Sequence, residues 1–167
     1  MIVGDFLDYV FRLATLQDLE SIYSLIQERV DWMQEVHISQ WDEYFLHHSI
    51  EEWKEAIEKN EFYVVEDAGV ILGGVQIQFV DEYFWDNSRN VYIKKLCCRV
   101  GTRKVGSFII EEVKKIARVK ELNKIRLECL STNLDLNQIY ESYGFRLIHS
   151  GTYSKYPYYY NLRELML

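Results

Sequence analysis

The sequence predicts an α/β (α+β) domain, a mixed β-sheet carrying helices on both faces. Three observations lead there. Val75, Ile77 and Phe79 alternate with Gln76 and Gln78, the period of a strand with one buried face. Val105, Ile109, Val113 and Ile116 recur at helical spacing, with Glu111, Glu112, Lys114 and Lys115 turned outward. The two periods interleave along the chain in the order strand, two helices, three strands, helix, strand, helix, two strands.

Taken in order, Phe11-Arg12-Leu13 forms the first strand. Thr15-Leu16-Gln17-Asp18 is a capping-box variant with Asp at the third helical position, and the helix it opens puts Leu19, Ile22, Ile26 and Val30 on one face. Ser49-Ile50-Glu51-Glu52 is a fuller capping box, opening a helix with Trp53, Ala56 and Ile57 inward. Between them Asp31 to His48, rich in Trp, His, Glu and Gln, shows no clear period and reads as a loop. Glu61 to Glu66 and Val70 to Val80 are strands joined at the hairpin signal Asp67-Ala68-Gly69. A polar, aromatic loop, Asp81 to Arg89, precedes a strand from Asn90 to Cys98. A basic turn from Arg99 to Gly106 leads into a helix from Val105 to Lys120, with Glu111 and Lys115 spaced as an i,i+4 pair. Lys124 to Leu130 is a strand. A short helix ending at Tyr140-Glu141-Ser142-Tyr143-Gly144-Phe145 follows, and Phe145 to Ser150 and Thr152 to Leu162 close the chain as strands.

Composition narrows the function classes. At 167 residues, 49% hydrophobic and 15% aromatic, the chain has material for one well-packed domain, read here as residues 1–167 with 1–9 as an N-terminal extension. A net charge of -7 argues against sequence-independent nucleic-acid binding and suits a cationic partner such as an amine. Met1 to Asp8 has neither a basic region nor a long apolar run, and no apolar segment approaches the roughly 20 residues of a membrane span. The expectation is a cytoplasmic protein without a membrane partner. Its three cysteines read as buried thiols, since Cys97 and Cys98 are strand neighbours pointing to opposite faces. His37, His47 and His48 lack a metal-ligand pattern, and no metal is expected.

A strand turning tightly into a helix gathers unpaired N–H groups and the positive end of the helix dipole at one point, a seat for phosphate. Gly106 and Ser107 let the backbone approach there, and Arg99, Arg103 and Lys104 add charge. With the segments Ile93-Lys94-Lys95-Leu96-Cys97-Cys98, Arg126-Leu127-Glu128-Cys129-Leu130-Ser131-Thr132-Asn133 and Leu136 to Phe145, the chain resembles the GCN5-related N-acetyltransferase (GNAT) family over about residues 10 to 163. The closing Tyr-x-x-x-Gly-Phe at Tyr140, Gly144 and Phe145 is the most specific piece.

The resemblance implies a mostly antiparallel central sheet whose fourth and fifth strands splay apart to admit the pantetheine arm of acetyl-CoA. It places that arm against Leu96, Cys97 and Cys98, with backbone bonds from Leu96 and Cys98. The pyrophosphate falls on the amides of Arg103, Lys104, Val105, Gly106 and Ser107. Asn133 either contacts the pantetheine or caps the following helix, and the two roles are compatible. Tyr140 is cast as the general acid that protonates the departing thiolate, and the N–H of Cys98 as the group polarising the thioester. The turn departs from the family pattern Gln/Arg-x-x-Gly-x-Gly/Ala: Gly101 stands at the first position, Lys104 replaces the first glycine, and the turn is about two residues shorter. The lysine either obstructs the phosphate or adds charge to it.

The implied activity is direct acetyl transfer to an amine of a small molecule or peptide, with polyamines, amino sugars, amino acids and protein N-termini all open. Direct transfer needs a neutral amine, donors to the thioester oxygen and a proton for the thiolate, but no covalent intermediate. Candidate bases are Glu35, Asp42, Glu43, Asp81 and Glu82, or a water chain. Trp32, Trp41, Tyr44 and the Asp81 to Arg89 loop are candidate walls of the acceptor pocket. Two other classes stay open: a non-catalytic acyl-CoA sensor on the same fold, and a homodimer formed through Tyr153 and Tyr156-Pro157-Tyr158-Tyr159-Tyr160.

Overall fold

The computed structural model describes residues 8–41, 48–153 and 158–167. Along the described chain run β1 (Val10–Leu13), a 3-10 turn (Leu16–Asp18), α1 (Leu19–Glu35), α2 (Ile50–Glu58), β2 (Phe62–Asp67), β3 (Val70–Gln78), β4 (Val91–Cys98), α3 (Val105–Val119), β5 (Lys124–Leu130), α4 (Leu134–Ser142), β6 (Arg146–Thr152) and β7 (Tyr159–Met166). The strands form one seven-stranded sheet of order β1-β2-β3-β4-β5-β7-β6. All neighbours are antiparallel except β4 and β5, which run parallel.

That parallel pair is short. Only Val91, Tyr92 and Ile93 of β4 meet Ile125, Arg126 and Leu127 of β5, although β4 continues to Cys98 and β5 to Leu130. The cause lies in β4. Between Lys94, opposite Gln76, and Cys97, opposite Gly74, two residues face the single Val75, and Lys95 takes a left-handed backbone with φ 52°. This bulge bends the strand away from β5. It also resets the alternation, so Ile93, Leu96 and Cys98 pack on one face while Cys97 turns to the other.

Two cores follow from the alternation. On one face α3 and α4 bring Ile109, Val113 and Tyr140 against Val75, Ile93, Leu127 and Cys129. On the other, α1 and α2 bring Ile22, Ile26, Val30 and Trp53 against Phe62, Val64 and Cys97. Gly73 in β3 sets how closely α3 approaches: a Cβ there would lie 2.8 Å from a Val105 methyl. The amino end of α3 therefore rests on the sheet beside β4. No helix among the described residues is long and apolar enough to cross a membrane.

Several details differ from the periodicity reading. Asp31–Glu35 belong to α1, because buried Met33 extends the Ile22–Ile26–Val30 stripe by a turn. The capping-box variant closes, with the Thr15 N–H donating to Asp18 at 2.7 Å; Arg12, on the same carboxylate, holds it down at about 2. The fuller box does not close. Ser49 makes no side-chain cap bond, and Glu52 turns instead to His48 and Lys95, at 3.0 and 3.3 Å. On α3, Glu111 pairs with Lys114 and Glu112 with Lys115, both i,i+3 at 2.6 Å, rather than Glu111 with Lys115. The last strand runs on to Met166 instead of stopping at Leu162. Its charged residues are partnered: buried Arg163 donates to Asn137 at 2.9 Å, and partly buried Glu164 accepts from Arg126 at 2.7 Å.

Candidate active site

Hydrogen-bond alternation decides which backbone groups of β4 face the gap. Cys97 pairs with Gly74, and the Arg99 N–H bonds Leu72 at 2.8 Å, so odd positions face β3 here. The N–H and C=O of Leu96 and Cys98 then point toward β5. The Cys98 carbonyl is already engaged: Arg29 of α1 donates to it through Nε at 3.0 Å and Nη2 at 2.6 Å. What Cys98 offers to the gap is its N–H. Cys97 does not belong to the gap, because its backbone serves β3 and its thiol is buried toward the Leu25 carbonyl of α1. Burial raises the thiols of Cys97 and Cys98, to about 12 and about 11, so neither is a ready nucleophile.

Below the gap sits the amino end of α3. Phe108 donates to the Lys104 carbonyl at 2.9 Å as the first bond of the helix, so the amides of Val105, Gly106 and Ser107 have no intrahelical acceptor. The Ser107 hydroxyl bonds the Lys104 carbonyl at 2.9 Å. A Cβ on Gly106 would meet the Tyr143 hydroxyl at 3.6 Å and the Cys98 sulfur at 3.8 Å, which puts both groups at the rim of this seat. Gly101, at φ 78°, supplies the tight bend of the shortened turn.

Lys104 takes the left-handed backbone, φ 63°, at the N-cap of α3, and its side chain is exposed. Among the described residues neither Arg103 nor Lys104 makes an ion pair, whereas Arg99 is held by Glu28 at 2.6 Å and by the Ile71 carbonyl at 2.8 Å. Arg99 is thus a brace between β4 and α1, not a free cation for phosphate. A Cβ in the left-handed region costs roughly 1–2 kcal/mol. Lys104→Gly is expected to raise stability by about 1 kcal/mol, seen as a melting midpoint roughly 2–4 °C higher.

Tyr140 is 6% exposed on α4, its ring edge-on to Phe145 at 5.7 Å. Its hydroxyl has no hydrogen-bond partner among the described residues. Burial, with Cys129, Cys98 and Glu128 in electrostatic range, pushes the phenol well above its ordinary value, so it stays protonated. Asn133 caps α4 by accepting from the Leu136 N–H at 3.1 Å, and its amide donates to Gln40 at 2.7 Å. The cap reading is the observed one. Next to it, His37, Ile38 and Ser39 face Leu130 and Thr132–Asp135 across a cleft of about 480 Å³.

On the opposite face of β5, Glu128 is half-buried and accepts a hydrogen bond from the Tyr153 hydroxyl. Burial raises its carboxyl above the usual carboxylate range, and Asp81 adds to the rise. No Lys, Arg or His among the described residues lies within ion-pair distance. Asp81 itself is fully engaged: it caps its own loop through the Tyr83 N–H at 2.9 Å and meets Lys94 at 3.3 Å. Glu35 and Glu82 are exposed, and Asp42, Glu43, Tyr44, His47, Tyr156 and Pro157 lie outside the described residues. Trp41 packs on the α1–α2 core, and the Arg29 guanidinium lies 4.9 Å from the centre of the Trp32 ring. Arg126, beside Glu128 on the same face, pins the 81–90 loop through Asp86 at 2.9 Å and Trp85 at 4.5 Å. Glu128 escaped the reading of the sequence, although a signal was present: a carboxylate between the apolar Leu127 and Cys129 of a central strand must occupy the opposite face.

A mixed, mostly antiparallel sheet whose one parallel strand pair opens beyond Ile93 and Leu127 sets the class of fold. The family model described as Acetyltransferase (GNAT) family matches residues 22–145, and the chain belongs to that family. Among solved structures it is similar to a GNAT-family acetyltransferase from Listeria monocytogenes 4b F2365, with 21% identity, TM-score 0.78 and 95% of each chain covered. It is also similar to the PaiA N-acetyltransferase from Thermoplasma acidophilum in complex with coenzyme A, with 17% identity, TM-score 0.74, and 95% of this chain and 99% of that one covered. A third is the ribosomal-protein-alanine N-acetyltransferase from Brucella melitensis, with 15% identity, TM-score 0.72 and 95% and 99% coverage. No curated protein sequence matches the chain. The mostly antiparallel sheet with its splayed central pair is the fold that the resemblance implied.

Proposed function

We propose that the chain is an acetyl-CoA-dependent N-acetyltransferase that moves an acetyl group directly onto a primary amine of a small molecule or peptide. The observation that carries this reading is the opening of β4 from β5 beyond Ile93 and Leu127, directly over the free amides of α3. The coenzyme A bound in the Thermoplasma acidophilum relative supports the choice of donor. In this reading Arg103, Lys104, Val105, Gly106 and Ser107 hold the pyrophosphate, and Leu96 and Cys98 pair with the pantetheine like an added strand. Asn133 borders the arm while capping α4.

The chemistry follows from the two faces of the gap. Glu128, with its raised carboxyl, takes a proton from the acceptor ammonium, so that a neutral nitrogen attacks the thioester carbon. The Cys98 N–H donates to the carbonyl oxygen as charge develops there. The carbon–sulfur bond then breaks, and Tyr140 gives its proton to the sulfur, leaving the N-acetylated amine and the free thiol. No acyl group passes through the protein.

Thermal melting with acetyl-CoA tests the donor assignment. At 100 times the dissociation constant the ligand adds about 2.7 kcal/mol, a midpoint rise of roughly 5–10 °C for a domain of this size. No rise at millimolar acetyl-CoA would remove the donor site. Thiol release over a panel of amines then tests turnover, and binding without release on any amine would leave a sensor rather than an enzyme.

A further inference from the structure

The acceptor face holds a recess that the transfer chemistry does not use. Tyr83, Phe84, Thr152, Tyr153 and Tyr160 line a hollow of about 240 Å³. Its rings meet edge to face: Phe84 lies 4.5 Å from Tyr83 and 5.1 Å from Tyr160, and Tyr153 lies 5.1 Å from Tyr160. Tyr153 is a shared wall, because its hydroxyl donates to Glu128. Aromatic faces carry negative potential and attract organic cations. Among the described residues Glu128 has no cationic partner within ion-pair distance, and no Lys or Arg lines the hollow; the nearby Arg126 and Lys94 are paired with Glu164 and Asp81, and the chain carries a net charge of -7.

From this juxtaposition we infer that the hollow is a cation subsite, holding a second ammonium group of the acceptor, separate from the nitrogen that is acetylated. The acceptor class is then an aliphatic amine with a further positive centre, such as a diamine or an amine bearing a quaternary ammonium. Assigning the cation to the acceptor rests on the transferase reading; cation binding itself does not. An apolar chain would fill the same hollow equally well if only the area of the rings mattered. The carboxylate behind Tyr153 is what favours charge.

The test compares two ligands of one shape, choline and its neutral isostere 3,3-dimethylbutanol. Each is titrated into the protein without acetyl-CoA and followed by the proton resonance of its equivalent methyl groups. Choline is expected to bind about tenfold more tightly. Tyr83→Leu and Phe84→Leu keep apolar bulk but lose the ring face, and each should weaken choline about fivefold while sparing the neutral ligand. Tyr83 is 62% exposed, so its replacement does not threaten folding. Equal affinities, or choline binding indifferent to both substitutions, would overturn the subsite. Turnover is read separately on 1,4-diaminobutane and butylamine. A preference of about tenfold for the diamine in kcat/KM extends the subsite to the acceptor, and equal rates overturn that assignment. Choline discrimination with no turnover on any amine would keep the subsite and fail the transferase reading alone.

Discussion

Replacing Tyr140 by Phe is expected to cut kcat for acetyl transfer by about 10²–10⁴ while leaving acetyl-CoA affinity unchanged, measured by thiol release and by the ligand-induced melting shift. The substitution is clean on physical grounds. The ring stays, with its edge contact to Phe145, and the lost hydroxyl has no partner among the described residues to orphan. Stability should therefore move by no more than about 0.5 kcal/mol. A phenol this buried is a weak acid, which at first sight disqualifies it. The same burial acts on the leaving group, however. The Cys98 thiol at the rim of the gap is pushed up to about 11, and a thiolate released there gains basicity for the same reason. Burial therefore raises donor and acceptor of the proton in the same direction. Full turnover in the Phe variant would reduce Tyr140 to a core residue.

The parts of the fold that were legible are those set by local periodicity. Strand alternation around Ile77 and the helical stripe of Val105, Ile109 and Val113 each point to one face, and packing obeyed them. The least legible parts are where tertiary partners override local rules. Lys95 and Lys104 both adopt left-handed backbone, and nothing in a lysine announces that conformation. Yet the first bends β4 from β5 and the second lies at the amino end of α3, so the gap rests on two residues whose role is invisible one position at a time. The resemblance carried what the periodicity lacked, because it encodes the splay without explaining it. Arg163 and Glu164 continue the last strand past the predicted end at Leu162. Asn137 and Glu141 meet the buried Arg163 and Arg126 meets the partly buried Glu164 from other elements, partners that no local pattern announces. Arg99 and Arg29 show the same limit: Arg99, read as a phosphate ligand, spends its charge bracing α1 against β4, and Arg29, left unassigned, caps the Cys98 carbonyl.

Glu128→Gln is the second large effect, with an expected loss of about 10²–10⁴ in kcat/KM and a change in its pH dependence. Burial raises the folded-state carboxyl above the ordinary glutamate range, so the folded protein holds this proton more tightly than the unfolded chain does. A base works only when deprotonated. The rate of the unmodified enzyme should thus climb with pH through that raised value, giving an acidic limb above the usual carboxylate region near 4.3. Gln cannot titrate, and the limb should vanish along with most of the rate. The stability argument runs the other way. A raised carboxyl stabilises the fold at low pH and loses that contribution as pH rises through its folded-state value, so the ionised Glu128 is a burden at neutral pH. The Gln amide carries no charge and still offers a carbonyl to the Tyr153 hydroxyl, so the variant should melt no lower than its parent at pH 7. An inactive protein with an undiminished melting midpoint would separate lost chemistry from lost structure. A variant that kept both rate and acidic limb would move the base to a water chain and leave Glu128 as the anionic wall of the neighbouring recess.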